Sequence, residues 1–263
     1  MVAEPEYCLI ERNLRATMRF FGQASGKGEV AERDGVLLID SGVDYAVFNI
    51  AMLTHAVASA DDLTRRAATA AGFFEERGTR WSLWVCDDLL GEPARRHAQA
   101  IFAGERLRRL TEAPGMIADR LGPPDRVLPA VECRPVADAA TRADFAHITS
   151  LNFDIPFATC QAVYATEQAW THDYHGYVGY YQNTAVATVA AVVAADSIGI
   201  YSVSTLPHYR HRGYAESLMR QVVATYTRQT GIERTMLQAT RAGFDMYRKM
   251  GYRVVSHFTV YMT

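Results

Sequence analysis

The chain has 263 residues, a formal net charge of -2 at pH 7 and 49% hydrophobic residues. This length favours two domains with buried cores, and the near balance of charges provides no field that would favour nucleic acid or an anionic membrane. We therefore expect a small-molecule or peptide partner, with no nucleic-acid or membrane partner, and we allow for a homodimer.

The cysteines and the N-terminal residues exclude two further classes. The four cysteines form no CxxC pair, so buried reduced thiols are favoured over a disulfide framework or a zinc site, and no metal is expected. Charges between Glu4 and Arg19 occupy the place of a signal peptide's apolar core, and no apolar run approaches the roughly 18 residues of a membrane span. These features predict a cytoplasmic protein. The cysteines are Cys8, Cys86, Cys133 and Cys160.

The first half of the chain predicts a hairpin, a helix and strands. Residues 35–53, GVLLIDSGVDYAVFNIAML, read as a hairpin about Asp40-Ser41-Gly42. Residues 61–78 read as a helix with Asp61 as its N-cap and Gly78 at its stop, and RWSLWVC follows as a strand. ERLRRL and the methionine-containing segment after it resemble the end of the second half, so a degenerate duplication is expected.

A proline-rich segment separates the two halves. GPPDRVLPAVECRP, from Gly122 to Pro135, contains four of the nine prolines, which prevent a helix from running across it. We place the domain boundary near Val131, giving domains of residues 1–130 and 131–263.

The second half predicts a meander and then alternating helices and strands. Tyr177–Tyr181, Val186–Val193 and Ile198–Thr205 are rich in β-branched and aromatic residues and are separated by the short polar breaks QNT and ADS. A helix from about Tyr214 to Gly231 comes next, followed by the strand RTMLQA, the helix FDMYRKM and the strand YRVVSHFTVYM. This order implies an α/β fold with a mixed parallel and antiparallel sheet flanked by helices.

The junction YRHRGYAE, residues 209–216, predicts an anion site. A helix that starts near Tyr214 leaves its first N–H groups without internal partners, and its dipole adds positive charge there. Gly213 lets the backbone turn sharply, while Arg210 and Arg212 add donors suited to phosphate. Several aligned amides favour a pyrophosphate over a single carboxylate.

Two common phosphate loops do not match this junction. The Walker loop needs a Gly-Lys-Ser/Thr ending, and the dinucleotide fingerprint needs three glycines that open a βαβ unit. RHRGYA has neither.

The loop instead resembles the GNAT superfamily of acyl-CoA-dependent N-acyltransferases, of the tandem type. Arg210, Gly213 and Ala215 match the family's Arg/Gln-x-x-Gly-x-Gly/Ala signature between a strand and a helix, and YRKMGY is similar to its Tyr-x-x-x-Gly-Phe segment with Tyr252 in place of phenylalanine. The resemblance covers residues 132–263. The first half has no such loop, so one coenzyme site is expected, in the C-terminal half, beside a degenerate GNAT-like N-terminal half.

The resemblance implies acetyl-CoA as the co-substrate, with its pyrophosphate on the loop and its pantetheine arm paired with a strand edge. The oxyanion of the reaction would be met by a backbone N–H near Val203. The cofactor-binding residues implied for the loop are Arg210, His211, Arg212, Gly213, Tyr214 and Ala215, and those implied for the strand edge are Val203, Ser204 and Thr205.

Tyr247 is the candidate proton donor to the departing thiolate, because a phenol with a pKa near 10 stays protonated at neutral pH. The base is less evident, since Ile198–Thr205 carries no carboxylate, although many relatives place one there. By sequence the nearest candidates are His172, Asp173, His175 and Asp154, with a water chain as the alternative.

These features favour an N-acetyltransferase in which a bound primary amine attacks the thioester directly. The alternative is a non-catalytic acyl-CoA-binding regulatory module, which the missing strand carboxylate suggests. A structural protein that has lost the coenzyme is the third hypothesis.

Overall fold

The computed structural model describes residues 4–171 and 173–263, and within them eleven strands form one sheet flanked by helices. The sheet contains parallel and antiparallel pairs, which confirms the predicted α/β class. The strands are β1 (Glu29–Arg33), β2 (Val36–Asp40), β3 (Ile50–Leu53), β4 (Ser82–Cys86), β5 (Arg108–Ala118), β6 (Glu132–Pro135), β7 (His175–Tyr181), β8 (Thr184–Ala194), β9 (Ser197–Thr205), β10 (Thr235–Gln238) and β11 (Arg253–Met262). The helices are α1 (Glu6–Ala24), α2 (Ala60–Glu75), α3 (Glu92–Gly104), α4 (Ala139–Phe153), α5 (Phe157–Tyr164), α6 (Tyr214–Thr230) and α7 (Phe244–Lys249).

Strands from both halves of the chain alternate at the centre of the sheet. The order across the sheet is β1-β2-β3-β4-β11-β5-β10-β9-β8-β7-β6. The C-terminal strand β11 therefore lies between β4 and β5, and its register with β5 runs from Arg253 opposite Ile117 to Met262 opposite Arg108. The domain boundary near Val131 remains a prediction about the chain, since the sheet itself is continuous across it.

The two parallel pairs occupy matching places on either side of this centre. β3 pairs with β4 and β9 pairs with β10 in parallel, and each pair is joined by a crossover helix, α2 in the first half and α6 in the second. β4 then neighbours β11, and β10 neighbours β5. This repetition of strand, helix and strand supports the predicted duplication.

The predicted meander is confirmed, because β8 pairs antiparallel with both β7 and β9. Gln182 and Asn183 in the first turn have φ of +49° and +62°, and Ala195 and Asp196 in the second have +51° and +50°. Positive φ at both central positions characterises the type I′ turn, whose twist matches that of the flanking strands. The breaks QNT and ADS therefore make tight hairpins.

The predicted N-cap of α2 is wrong. Ser59 is the N-cap, with an extended backbone, and its side chain accepts a hydrogen bond from the N–H of Asp62 at 3.2 Å. Asp61 lies in the first turn instead, where its carboxylate complements the helix dipole without capping it. The helix ends at Glu75, and Gly78 follows it with φ of +62°.

The predicted hairpin about Asp40-Ser41-Gly42 is confirmed in its pairing, since β2 and β3 are antiparallel neighbours. Its connection is a longer loop, residues 41–49, which the buried Asn49 organises. The Asn49 side chain accepts from the N–H of Ser41 and donates to the carbonyls of Val43 and Arg80, each at 2.9 Å.

Helix α1, which the sequence analysis did not predict, crosses the sheet on the face opposite α6. Its buried Asn13 donates to the Ala194 carbonyl at 2.9 Å and to Ser197 Oγ at 3.1 Å, and accepts from the Tyr201 hydroxyl at 2.6 Å. The amide thus fastens α1 to the start of β9. Gly199 makes room for it, because a Cβ there would lie 2.0 Å from Asn13 Oδ1.

We expect Gly199→Ala to destabilise the protein by about 1–3 kcal/mol, since an added methyl must displace Asn13 from a filled core. Gly72→Ala is the matched control, because a Cβ on that glycine of α2 meets nothing within 4 Å. It should stabilise the protein by up to about 1 kcal/mol through helix propensity. Chemical denaturation followed by circular dichroism measures both, and equal stability of the two variants would contradict the close contact.

Candidate functional site

The loop between β9 and α6 places Gly213 at the start of the helix. Gly213 is the N-cap, with φ of +89° and ψ of +8°, in the left-handed region that favours glycine. No side chain caps the first turn of α6, in contrast to Ser59 on α2. The first N–H groups of α6 are therefore free to bind an anion.

Arginines surround this helix start without carboxylate partners. Arg210 donates to the Asn152 amide oxygen at 2.9 Å, and the Arg212 guanidinium lies 5.8 Å from the centre of the Tyr209 ring. Among the described residues, neither forms an ion pair within 4.0 Å. The nearest acid in the helix, Glu216, is buried and paired with Arg220 at 2.9 Å. The positive charge at the loop is therefore available to a ligand.

The proline-rich linker adds a third arginine that the sequence analysis did not assign to the site. Ser217 Oγ donates to the Pro129 carbonyl at 2.9 Å and Gln221 Nε2 donates to the Val131 carbonyl at 3.1 Å, which holds the linker against α6. Arg126 then donates to the His211 carbonyl at 3.4 Å. Its only sequence signal is its position within the proline-rich segment, so its place at the loop follows from the packing of the linker.

Strand β9 has a free edge next to the loop. It pairs with β10 only at Ile198 and Gly199, so from Ile200 onward the two strands separate. Ser202, with φ of +48°, lies where the register between β8 and β9 shifts, and its carbonyl accepts from Thr188 Oγ1 at 2.8 Å. Val203 to Thr205 thus follow a bulge and border the opening between β9 and β10.

The corresponding opening in the first half is closed. Beyond the parallel pair of β3 and β4, the N–H of Val57 donates to Leu89 and the N–H of Gly91 donates to Val57, each at 2.8 Å. These bonds pair the segments that follow β3 and β4, so no opening remains between them. Of the two parallel pairs, only β9 and β10 leave an opening, and this opening lies beside the uncapped start of α6.

Tyr247 lies on α7, packed in the same core as α6. Only 6% of it is exposed, and its ring centre is 5.8 Å from that of Tyr252 in an edge-on arrangement. Burial raises the pKa of Tyr247 above its usual value. Even an ordinary phenol exceeds a thiol in pKa by about 1.5 units, so passing its proton to a free thiolate is uphill by about 2 kcal/mol. Proton donation by Tyr247 therefore needs to accompany bond breaking.

The candidate bases are scattered. His172 lies outside the described residues, and Asp173 is exposed before β7. The centre of the His175 ring lies 5.7 Å from that of Tyr226, with the two rings tilted by 33°. Tyr226 is twelve residues beyond the start of α6 and so about 18 Å along the helix. That distance does not support His175 as the base. Asp154 is exposed at the end of α4, two residues from Asn152, which contacts Arg210.

Two surface cavities are lined by residues outside the Gly213 loop. One, of about 260 Å³, lies beside Phe244 and Tyr252, and the other, of about 330 Å³, lies beside Arg120 and Thr227.

Among the described helices, none combines the length and the apolar character needed to cross a bilayer.

Residues 143–252 match the model of the acetyltransferase (GNAT) family. This segment includes the Gly213 loop and Tyr247. No curated protein matches the chain at a significant level.

Solved structures resemble the chain over most of its length. A GCN5-related N-acetyltransferase from Kribbella flavida has a TM-score of 0.71 at 15% identity, covering 99% of this chain and 96% of that one. One from Sphaerobacter thermophilus has a TM-score of 0.55 at 14% identity, covering 99% and 93%. A tandem GNAT protein from the clavulanic acid biosynthesis pathway has a TM-score of 0.53 at 9% identity, covering 87% and 78%. These similarities concern the fold, and they confirm the predicted mixed sheet flanked by helices.

Proposed function

We propose, from the match of residues 143–252 to the model of the acetyltransferase (GNAT) family, that the protein is an N-acetyltransferase that transfers an acetyl group from acetyl-CoA to a primary amine. The observation that carries the proposal is the uncapped start of α6 at Gly213, beside the free edge of β9. The residues at this junction fit the coenzyme, since they offer free amides and guanidinium groups that form no ion pair with a carboxylate among the described residues.

Acetyl-CoA supplies an acetyl group activated as a thioester. The loop would hold its pyrophosphate, and the β9 edge would pair with its pantetheine arm as an added strand. The proposed loop ligands are Arg210, His211, Arg212, Gly213, Tyr214 and Ala215, joined by Arg126, and the proposed edge residues are Val203, Ser204 and Thr205.

In the proposed reaction the neutral amine nitrogen bonds to the acetyl carbon while the carbon–sulfur bond breaks. The nitrogen then gives up one proton to water, and the departing sulfur takes one from Tyr247. The resulting tyrosinate regains a proton from water before the next turnover, so the protons balance. A backbone N–H near Val203, just after the bulge at Ser202, would stabilise the negative charge that develops on the carbonyl oxygen. We propose that Tyr247 is the catalytic acid.

The first half would support the amine side of the site. Helix α1 and the loop of residues 41–49 lie on the face opposite α6, where the Tyr45 hydroxyl lies 3.5 Å from the Asp154 carbonyl oxygen. The first half's own split is closed by the Val57–Leu90 bridge, which favours a single coenzyme site. We therefore propose that residues 1–130 form a degenerate GNAT-like domain that shapes the acceptor site of residues 131–263.

A non-catalytic acyl-CoA-binding module is the second candidate. The observation that favours it is the absence of any aspartate or glutamate from β9, together with the exposed or distant positions of the other bases. In that case the coenzyme would bind without turnover.

Thermal unfolding with coenzyme A tests the site, because a ligand that binds the folded state raises the melting temperature in proportion to the logarithm of its concentration. The absence of any shift would overturn both functions and favour a structural protein. Thiol release from acetyl-CoA in the presence of spermidine, glycinamide or phenethylamine then separates the two candidates. We expect turnover, whereas coenzyme binding without turnover on any amine favours the binding module.

Arg126→Ala should weaken coenzyme binding about 3- to 10-fold, since an exposed charge-assisted contact is lost while the amides remain. The salt dependence of binding should also decrease. Arg228→Ala is the control, because Arg228 is also an exposed arginine and lies near the other end of α6. Equal dissociation constants for the two variants in calorimetric titration would remove Arg126 from the site.

A further inference from the structure

Gln238 is the last residue of β10, at the point where β9 and β10 separate. Side chains alternate along a strand, so Gln238 shares a face with Met236. Met236 packs in the core that contains Ile10 and Leu14 of α1, while Leu237 packs with residues of α6. Gln238 therefore lies on the α1 face, opposite the helix whose start would hold the coenzyme phosphates.

The side-chain amide of Gln238 has no hydrogen-bond partner among the described residues. Both Oε1 and Nε2 are shielded from solvent, and neither bonds to another group. Buried polar atoms are almost always paired, because leaving one unpaired costs its full desolvation penalty. One acceptor and one donor at the same position indicate that a polar ligand belongs there.

Tyr201, the neighbour of Gln238 on β9, does not supply a hydrogen bond to the Gln238 amide. Extending the parallel register of Thr235 with Ile198 and Met236 with Gly199 brings Gln238 level with Tyr201. The Tyr201 hydroxyl already donates to Asn13 Oδ1 at 2.6 Å, and burial raises the pKa of Tyr201. Tyr201 therefore stays neutral and bonded to α1. The Gln238 amide remains an unpaired polar group on the β10 side of the split, and the Ser204 hydroxyl is an unpaired group on β9 among the described residues.

We propose that Gln238 binds the amino group of the acetyl acceptor and orients it toward the thioester, an inference that rests on the proposed function. Oε1 accepts one N–H of the neutral amine, which turns the nitrogen lone pair away from Gln238 and toward the split between β9 and β10. The amide neither gains nor loses a proton. Nε2 remains a donor, so acceptors with an oxygen next to the amino group, such as α-amino amides, satisfy both atoms.

Gln238→Met tests this role, because methionine keeps the length of the side chain and removes its polar atoms. We expect the KM for the amine to rise at least tenfold, measured by thiol release with glycinamide, spermidine and phenethylamine in turn. The KM for acetyl-CoA should not change, and the melting temperature of the free protein should stay the same or rise, since an unpaired amide is removed. Gln229→Met, on the exposed end of α6, is the control.

A lower melting temperature of Gln238→Met would overturn the inference, since it would show that the amide has a partner in the free protein. An unchanged KM for every amine that the native protein acetylates would also overturn it while leaving the proposed function intact. Coenzyme binding without turnover on any of the three amines overturns the inference together with the enzymatic function. If the native protein does not bind coenzyme A, the proposed function is contradicted, and the inference that rests on it is contradicted as well.

Discussion

Gly213→Asp is expected to weaken coenzyme A binding by at least about 100-fold, or about 2.7 kcal/mol. A Cβ at this position would lie 3.2 Å from Arg126 Nη2, Leu128 Cδ2 and Pro129 Cδ, so the side chain has little room beside the linker. Its carboxylate would occupy the anion position at the helix start and would also pair with the nearby guanidinium groups. Calorimetric titration with coenzyme A measures the loss.

Gly231→Asp is the matched control for this substitution. Gly231 ends α6 with φ of +75°, so the variant carries a similar backbone strain, yet a Cβ there meets nothing within 4 Å. It should lose stability without losing coenzyme affinity. Similar affinity in the two variants would show that the start of α6 does not hold the pyrophosphate, and the proposed function would have to be abandoned.

Tyr247→Phe is expected to lower the turnover number by about 100-fold, the lower end of what a general acid contributes. Coenzyme binding should stay intact, because the aromatic ring that packs against Tyr252 is kept. Since burial raises the pKa of Tyr247, the native enzyme should not lose activity through ionisation of this residue up to about pH 10. Steady-state rates of thiol release across this pH range measure both effects.

Tyr252→Phe provides the comparison. The Tyr252 hydroxyl is buried beside the Thr235 side chain, with which it interacts, so its removal should cost about 0.5–1.5 kcal/mol of stability and should leave turnover unchanged. An unaltered turnover number for Tyr247→Phe, with acetyl transfer established as rate-limiting by single-turnover kinetics, would remove Tyr247 from the mechanism.

The second half of the fold could be predicted because its signals are local. The breaks QNT and ADS determine two type I′ turns, each with one residue that tolerates positive φ, Asn183 or Asp196, and Gly213 and Gly231 bracket α6. The same local chemistry misled the prediction at α2, where serine and two aspartates compete for the N-cap. Ser59 is the N-cap because its backbone is extended. That conformation depends on the preceding chain and is not evident from the residue types.

The first half and the linker were harder to predict. Helix α1 has an ordinary amphipathic pattern, but its place over β9 depends on Asn13 and on the room that Gly199 leaves, and these residues are far apart in sequence. Arg126 lies in a segment that reads as a boundary, and its contact with the loop exists because α6 holds the linker. Neither position has a local signature.

By itself, the sequence determined the turn at Gly213, the helix that follows it and the meander that leads into it, because backbone conformation and hydrogen bonding within a few residues decide these features. Only the tertiary structure decided that β11 crosses into the first half, that the Val57–Leu90 bridge closes one strand split while the other stays open, and that Gln238 lies unpaired beside the open one. These features arise from contacts between distant segments, whose free energies depend on packing and burial that no short stretch of residues encodes.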